Sequence, residues 1–155
     1  MEIFTLLEIN WLAVFVASLT SFIIGAIWFG PKTFYPVWMK ALGRKWPAER
    51  VEMSGAETAL LFGGTYVAAL AQVVSLAIVI GFARFLFANF NSVTGAAFGF
   101  FLAVGFGAFA SLSHRLFGQA DHKGINAIKV WLIEVGQDVV CLTIAGAILG
   151  AWALS

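Results

Sequence analysis

Apolar side chains fill four long stretches of this chain, at roughly 9–29, 60–87, 93–112 and 127–154, and the polar residues gather between them. A hydrocarbon core about 30 Å thick is crossed by about 20 residues of helix rising 1.5 Å each. Every stretch is near or above that length. The pattern predicts an all-α fold: an integral membrane bundle of four transmembrane helices in one membrane domain covering 1–155.

Polar residues also mark the helix boundaries. Thr5–Glu8 and Ser54–Glu57 each place a carboxylate three residues after a hydroxyl, as a capping box requires. The second box predicts that the second helix starts ahead of its apolar part. Gly30–Pro31 should end the first helix, Asn91–Ser92 reads as a turn between the second and third, and 118–124 is the polar connection to the fourth. Between the first two stretches, Tyr35, Trp38, Met39, Leu42 and Trp46 recur at helical spacing, with Lys40, Arg44 and Lys45 interleaved and Pro36 and Pro47 as bounds. This predicts a short amphipathic helix lying on the inner leaflet, its basic groups near anionic headgroups. The alternative is an irregular loop with incidental aromatics.

The positive charges orient the bundle. Lys32, Lys40, Arg44, Lys45 and Arg50 fall between stretches one and two, and Arg115, Lys123 and Lys129 flank the connection between three and four. Only Arg84 lies near the connection between two and three. Loops rich in Lys and Arg stay cytoplasmic, so both termini are expected outside a bacterial inner membrane. With no Lys or Arg ahead of it and no small-x-small site at its end, the first stretch reads as a permanent helix, not a cleaved signal. Trp11 and Trp28 stand about 26 Å apart along the first helix, and Trp131 and Trp152 about 31 Å apart along the fourth. Each pair suits interface anchors at the two headgroup levels, although aromatics are frequent throughout.

Composition sharpens the class. Hydrophobic residues make up 61% and charged residues 11%, against roughly 45–50% and 25% in soluble domains; a soluble fold of this size could not cover so much apolar surface. The net charge of +1 gives no bulk electrostatic case for nucleic acid. The single cysteine, Cys141, permits no internal disulfide.

Small residues recur every fourth position: Gly95, Gly99, Ala103, Gly107 and Ser111 in the third stretch, Ala13, Ala17, Ser21 and Gly25 in the first, Gly146 and Gly150 in the fourth. Helices in lipid associate largely through close backbone approach at such positions. Gly95, Gly99, Ala103, Gly107, Gly146 and Gly150 are therefore the expected packing residues. The third helix is expected to be either the most enclosed or a face for self-association.

Glu134, Gln137 and Asp138 interrupt the fourth apolar stretch. Glu134 and Asp138, four apart, share a helix face. If Trp131 marks the inner interface, Glu134 is about 5 Å deep and Asp138 about 10 Å. With Tyr66 as the corresponding marker on the second helix, Gln72 comes level with Asp138, and a Gln72–Asp138 hydrogen bond is expected, with Lys129 offsetting Glu134. Two readings compete. An intramembrane acid is by default a functional-site candidate, here for a proton or cation step; otherwise these polar groups pin the fourth helix to the second.

Other chemistry is sparse. His114, Asp121 and His122 lack a fourth ligand and closed-site spacing, so no metal site is expected, and no GxSxG, P-loop or HExxH motif occurs. No cofactor is expected.

Several short motifs occur together along the chain: Asn10–Trp11–Leu12–Ala13, Gly25–Ala26–Ile27–Trp28–Phe29–Gly30–Pro31, Trp38–Met39, Leu116–Phe117, Glu134 with Gly136, and Ala145–Gly146–Ala147–Ile148–Leu149–Gly150. In these the chain resembles the bacterial four-helix membrane proteins grouped as domain of unknown function 1761. The resemblance implies a polytopic inner-membrane protein and supplies no activity. The His114–Arg115 and Gln137–Asp138 pairs depart from the family's pattern, which favours Glu134 over Asp138 for any general role. The expectation is a non-enzymatic, self-associating membrane component, partnered by the bilayer and by a second copy or another membrane protein. The alternative is a proton- or cation-linked carrier or channel using Glu134 and Asp138.

Overall fold

The computed structural model describes residues 9–46, 53–87, 89–118 and 124–152, which form helices joined by turns, with no strand among them. In order they are α1 (Trp11–Trp28), α2 (Tyr35–Ala41), α3 (Gly55–Arg84), α4 (Ser92–Leu102), a π-helical turn (Ala103–Ala108), α5 (Phe109–Gly118) and α6 (Gly124–Ala151). Four segments are long and apolar enough to cross a membrane: Trp11–Trp28, Gly55–Arg84, Ser92–Phe117 and Asn126–Ala151. The third runs past Leu112, where the apolar pattern stops, and so carries His114 and Arg115 on helix instead of in a loop.

Local chemistry sets the ends. The Thr5–Glu8 box lies outside the described residues; α1 begins under Asn10, whose side-chain oxygen accepts from the Ala13 N–H at 3.1 Å. Ahead of Gly30–Pro31, α1 ends at Trp28, and the Thr33 hydroxyl reaches its loose carbonyls, 2.7 Å from Trp28 O and 3.0 Å from Gly30 O. The Ser54–Glu57 box forms in full at the start of α3. Asn91 caps α4 by accepting from the N–H groups of Val93 and Thr94, at 2.9 and 3.1 Å. Asn91→Ala should therefore lower stability by about 1 kcal/mol, read as a lower midpoint in detergent thermal unfolding.

The amphipathic segment is shorter than its pattern. Gly43, at φ 73°, ends it: the Gly43 N–H bonds Lys40 O and the Arg44 N–H bonds Met39 O, both at 3.0 Å, the paired bonds of a Schellman stop. It also does not lie free on a leaflet. Met39 and Ala41 are buried, and α2 packs on α6.

The closest contact in the fold is α4 against α6. A Cβ on Gly95 would collide with Gly146 O, one on Gly99 with Leu142 O, and one on Gly146 with Gly95 O; on Gly150 it would stand 2.5 Å from Asn91 O. All of these are backbone atoms, so the helices are in direct main-chain contact. Ala103 continues this buried face and Gly107 leaves it, with open space where its Cβ would be. The cause is the π turn, which adds one residue to a turn: the buried positions run 95, 99, 103 and then 108.

The hub is α6, not the third span. It touches α1, α2, α3, α4, the π turn and α5, whereas the third span leaves Phe101, Phe106, Phe109 and Phe117 exposed. The apolar core draws Ala13, Val14 and Ala17 from α1, Val73, Leu76, Ala77, Ile80 and Ala83 from α3, and Ala145 and Leu149 from α6. These residues lie toward the end of the bundle bearing Asn10, Arg84 and Trp152. At the other end α3 stands apart: from Gly55 to Thr65 every residue but Thr58 is exposed.

Candidate functional site

Two polar sites occupy the open half of the bundle, both centred on α6. The first fastens three helices. Glu134 Oε2 meets Arg115 Nη2 of α5 at 2.6 Å, and Glu134 Oε1 accepts from the Trp38 indole N–H of α2 at 3.0 Å. Trp38 is itself held among aromatic rings, its centroid 5.5 Å from that of Phe29 and 5.7 Å from that of Tyr35. Arg115, not Lys129, offsets Glu134. Sequence reasoning missed it because Arg115 was placed beyond the membrane helix, and missed Trp38 because α2 was laid on lipid. One signal was available: an arginine directly after an apolar run can turn back along its own helix.

Beside this latch, two tryptophans expected at headgroup level use their N–H groups inside the protein. Trp28 donates to Ile133 O at 3.0 Å, and Trp131 donates to Ala108 O at 2.9 Å. The Ala108 carbonyl, at the end of the π turn, also accepts from the Ser111 hydroxyl. Gly136 makes room for the Trp28 ring, as a Cβ there would lie 3.1 Å from it. Trp11 stands exposed at the opposite end of α1.

The second site is a cleft of about 410 Å³ between α1, α3 and α6. From α6, Gln137, Asp138 and Cys141 line it; from α3, Phe62, Thr65 and Gln72; from α1, Ser21, Phe22 and Gly25. Gly25 is needed here, because a Cβ would stand 3.2 Å from the Gln137 amide nitrogen. That amide donates toward Cys141 Sγ at 3.2 Å, and the thiol faces Ser21 O at 3.5 Å. The Thr65 hydroxyl is turned to Leu61 O at 2.6 Å. Asp138 is half-buried and, among the described residues, has no hydrogen-bond or ion-pair partner.

The structure thus brings Gln72 and Asp138 to one cleft without the hydrogen bond expected between them. The depth marker was misplaced: Tyr66 is not at an interface, since its hydroxyl lies 3.3 Å from that of Ser18, in the middle of α1, with its ring edge-on to Phe22. Ser75, one turn further along α3, bonds Ala71 O of its own helix. His114 is exposed on α5, while Asp121 and His122 lie outside the described residues. Among the described residues no three His, Cys, Asp or Glu side chains are grouped to hold a metal.

An all-α bundle of four long apolar helices defines a small multi-pass membrane protein. The chain belongs to the family described as protein of unknown function (DUF1761), whose model matches residues 12–150. No curated protein and no solved structure matches it.

Proposed function

We propose that this protein is a non-catalytic carrier of the bacterial inner membrane, with both termini outside, which takes a proton- or cation-linked small solute into the cleft on Asp138. The observation that carries this reading is the Asp138 carboxylate, which has no hydrogen-bond or ion-pair partner among the described residues and stands on the wall of a cleft. A carboxylate in a membrane helix costs about 2.5–3.5 kcal/mol on insertion scales. A structural pin would be expected to offset that with a hydrogen bond from Gln72, and none is made. A group that binds and leaves is the remaining partner. The core is closed toward the Asn10 end and α3 splays at the other, so the cleft opens beside α3; the lysines and arginines of the adjoining loops support an entrance in the cytoplasmic half of the bilayer.

Proteoliposomes test this directly. Proton or cation flux into vesicles holding the wild-type protein should fall at least about tenfold in Asp138→Asn, the loss expected when a buried charge contact is truncated, with the thermal midpoint unchanged. Equal flux in the two proteins would overturn the carrier.

A second reading, a self-associating membrane component, is favoured by the exposed length of α3. Leu60, Leu61 and Phe62 touch little else in the chain, and Gly63 and Gly64 have open space beside them. The Gly95–Gly146 seam, by contrast, is already used within the chain and does not support it. Sedimentation in detergent distinguishes the two readings: a dimer dispersed by Gly64→Trp would favour association, and a monomer would reject it.

A further inference from the structure

We propose that the ligand of the cleft is a lipophilic organic cation, one positive charge on an aromatic or branched apolar body, which enters sideways from the membrane. This rests on the reading of the cleft as a binding site on Asp138.

The sign of the charge follows from the walls. Among the described residues Asp138 is the sole ionisable acid or base on the lining apart from the thiol of Cys141, and no Lys, Arg or His of theirs faces the cleft. The neighbouring acid one turn away, Glu134, already has its charge met by Arg115. An anion would be repelled by the carboxylate, and a neutral solute, even one donating a hydrogen bond, would leave its charge uncompensated.

The same walls argue against a bare metal cation. Hard cations take about six to eight oxygen ligands, whereas the oxygens here are few and partly engaged: the Thr65 hydroxyl is committed to Leu61 O. Most of the lining is apolar, with Phe22, Phe29 and Phe62 among it. Aromatic faces attract organic cations that shed water easily, and about 410 Å³ falls within the roughly 300–1,000 Å³ of small-molecule sites.

The route follows from the rim. Leu61 and Phe62 line the cleft and are still 53% and 54% exposed. They belong to the apolar part of α3, beyond its Ser54–Glu57 cap, so the mouth meets acyl chains, where a lipophilic cation collects. A zwitterionic lipid carries an ammonium group too, but its phosphate would need a basic side chain that the lining does not offer.

The experiment uses the full-length protein in detergent with tetraphenylphosphonium, and tetraphenylborate as its isostere of opposite charge, followed by equilibrium dialysis. Tetraphenylphosphonium should bind saturably, one per chain, and tetraphenylborate, dialysed in a separate cell, should not bind. Asp138→Asn should weaken binding at least about tenfold. Phe62→Ala, at an exposed position where folding is not at stake, should weaken it severalfold. Displacement by vesicles of phosphatidylethanolamine would assign the site to a lipid headgroup and overturn the proposal, as would equal binding of the two isosteres or full binding by Asp138→Asn. If tetraphenylphosphonium does not bind while flux still depends on Asp138, the ligand class is wrong and the carrier stands. If it binds through Asp138 without any flux, the ligand class stands and the carrier falls.

Discussion

Replacing Gly146 with leucine should destroy the bundle, and replacing it with alanine should already weaken it strongly. A Cβ at Gly146 would run into Gly95 O and lie 2.8 Å from the Gly95 carbonyl carbon and 3.3 Å from Gly99 N. None of these atoms belongs to a side chain that could rotate away. To make room, α4 and α6 must separate along the whole seam from Gly99 to Asn91, and in lipid that packing is the main force joining them. Overpacking typically costs about 1–3 kcal/mol. Gly146→Ala should sit at the top of that range, and Gly146→Leu should exceed it enough that no folded fraction survives extraction. The measurement is the monodisperse fraction and thermal midpoint in mild detergent. Gly107→Ala and Gly63→Ala serve as controls: both positions face open space, and both variants should match wild type. A tolerated Gly146→Leu would show that the seam is not where the helices meet.

The same residues show what a sequence can and cannot disclose. The stride Gly95–Gly99–Ala103 was legible because small side chains at every fourth position have few other causes. Its continuation to Gly107 was not, because a π turn depends on how neighbouring helices take up the freed carbonyls, here with Trp131 donating to Ala108 O. Nothing local in Ala103–Ala108 announces the extra residue. The presence of four long apolar helices, the cap at Ser54 and the stop at Gly30–Pro31 depend on near neighbours along the chain and are legible in it; Asn91 is legible as a turn residue but not as the cap of α4. Partners across the bundle depend on helix length and tilt. From the sequence, Lys129 is the basic residue nearest Glu134, but the third helix extends far enough to bring Arg115 to it; Gln72 comes level with Asp138 only if Tyr66 marks an interface, and Tyr66 instead meets Ser18 in the middle of α1. Both errors are errors of depth. The cleft itself had no sequence signal beyond an acid in an apolar run, since its volume arises from the divergence of α3 from α1 and α6.

The latch on Glu134 should be worth most when it is broken from the Arg115 side. Arg115→Gln leaves the carboxylate with the Trp38 N–H as its remaining donor, in a position where its side chain is 22% exposed. Breaking a fully buried pair costs about 3–5 kcal/mol, and exposed pairs are worth about 0.2–1 kcal/mol. With Arg115 38% exposed, solvent screening places the expected loss between these limits, at about 1–2 kcal/mol. Glu134→Gln should cost less, because the amide oxygen still accepts from Trp38 and the arginine freed by the change can extend to the headgroups. The double variant should then resemble Glu134→Gln alone, giving a coupling energy equal in size to the cost of Arg115→Gln, about 1–2 kcal/mol, in a double-mutant cycle. Trp38→Phe should reduce that coupling, since without its indole N–H the carboxylate loses the bond that fixes its rotamer. Asp138→Asn should leave it unchanged, because the cleft and the latch share a helix but no hydrogen bond. Additive single variants would mean that Arg115 and Glu134 are neighbours without being partners, and that α5 is held to α6 by packing alone.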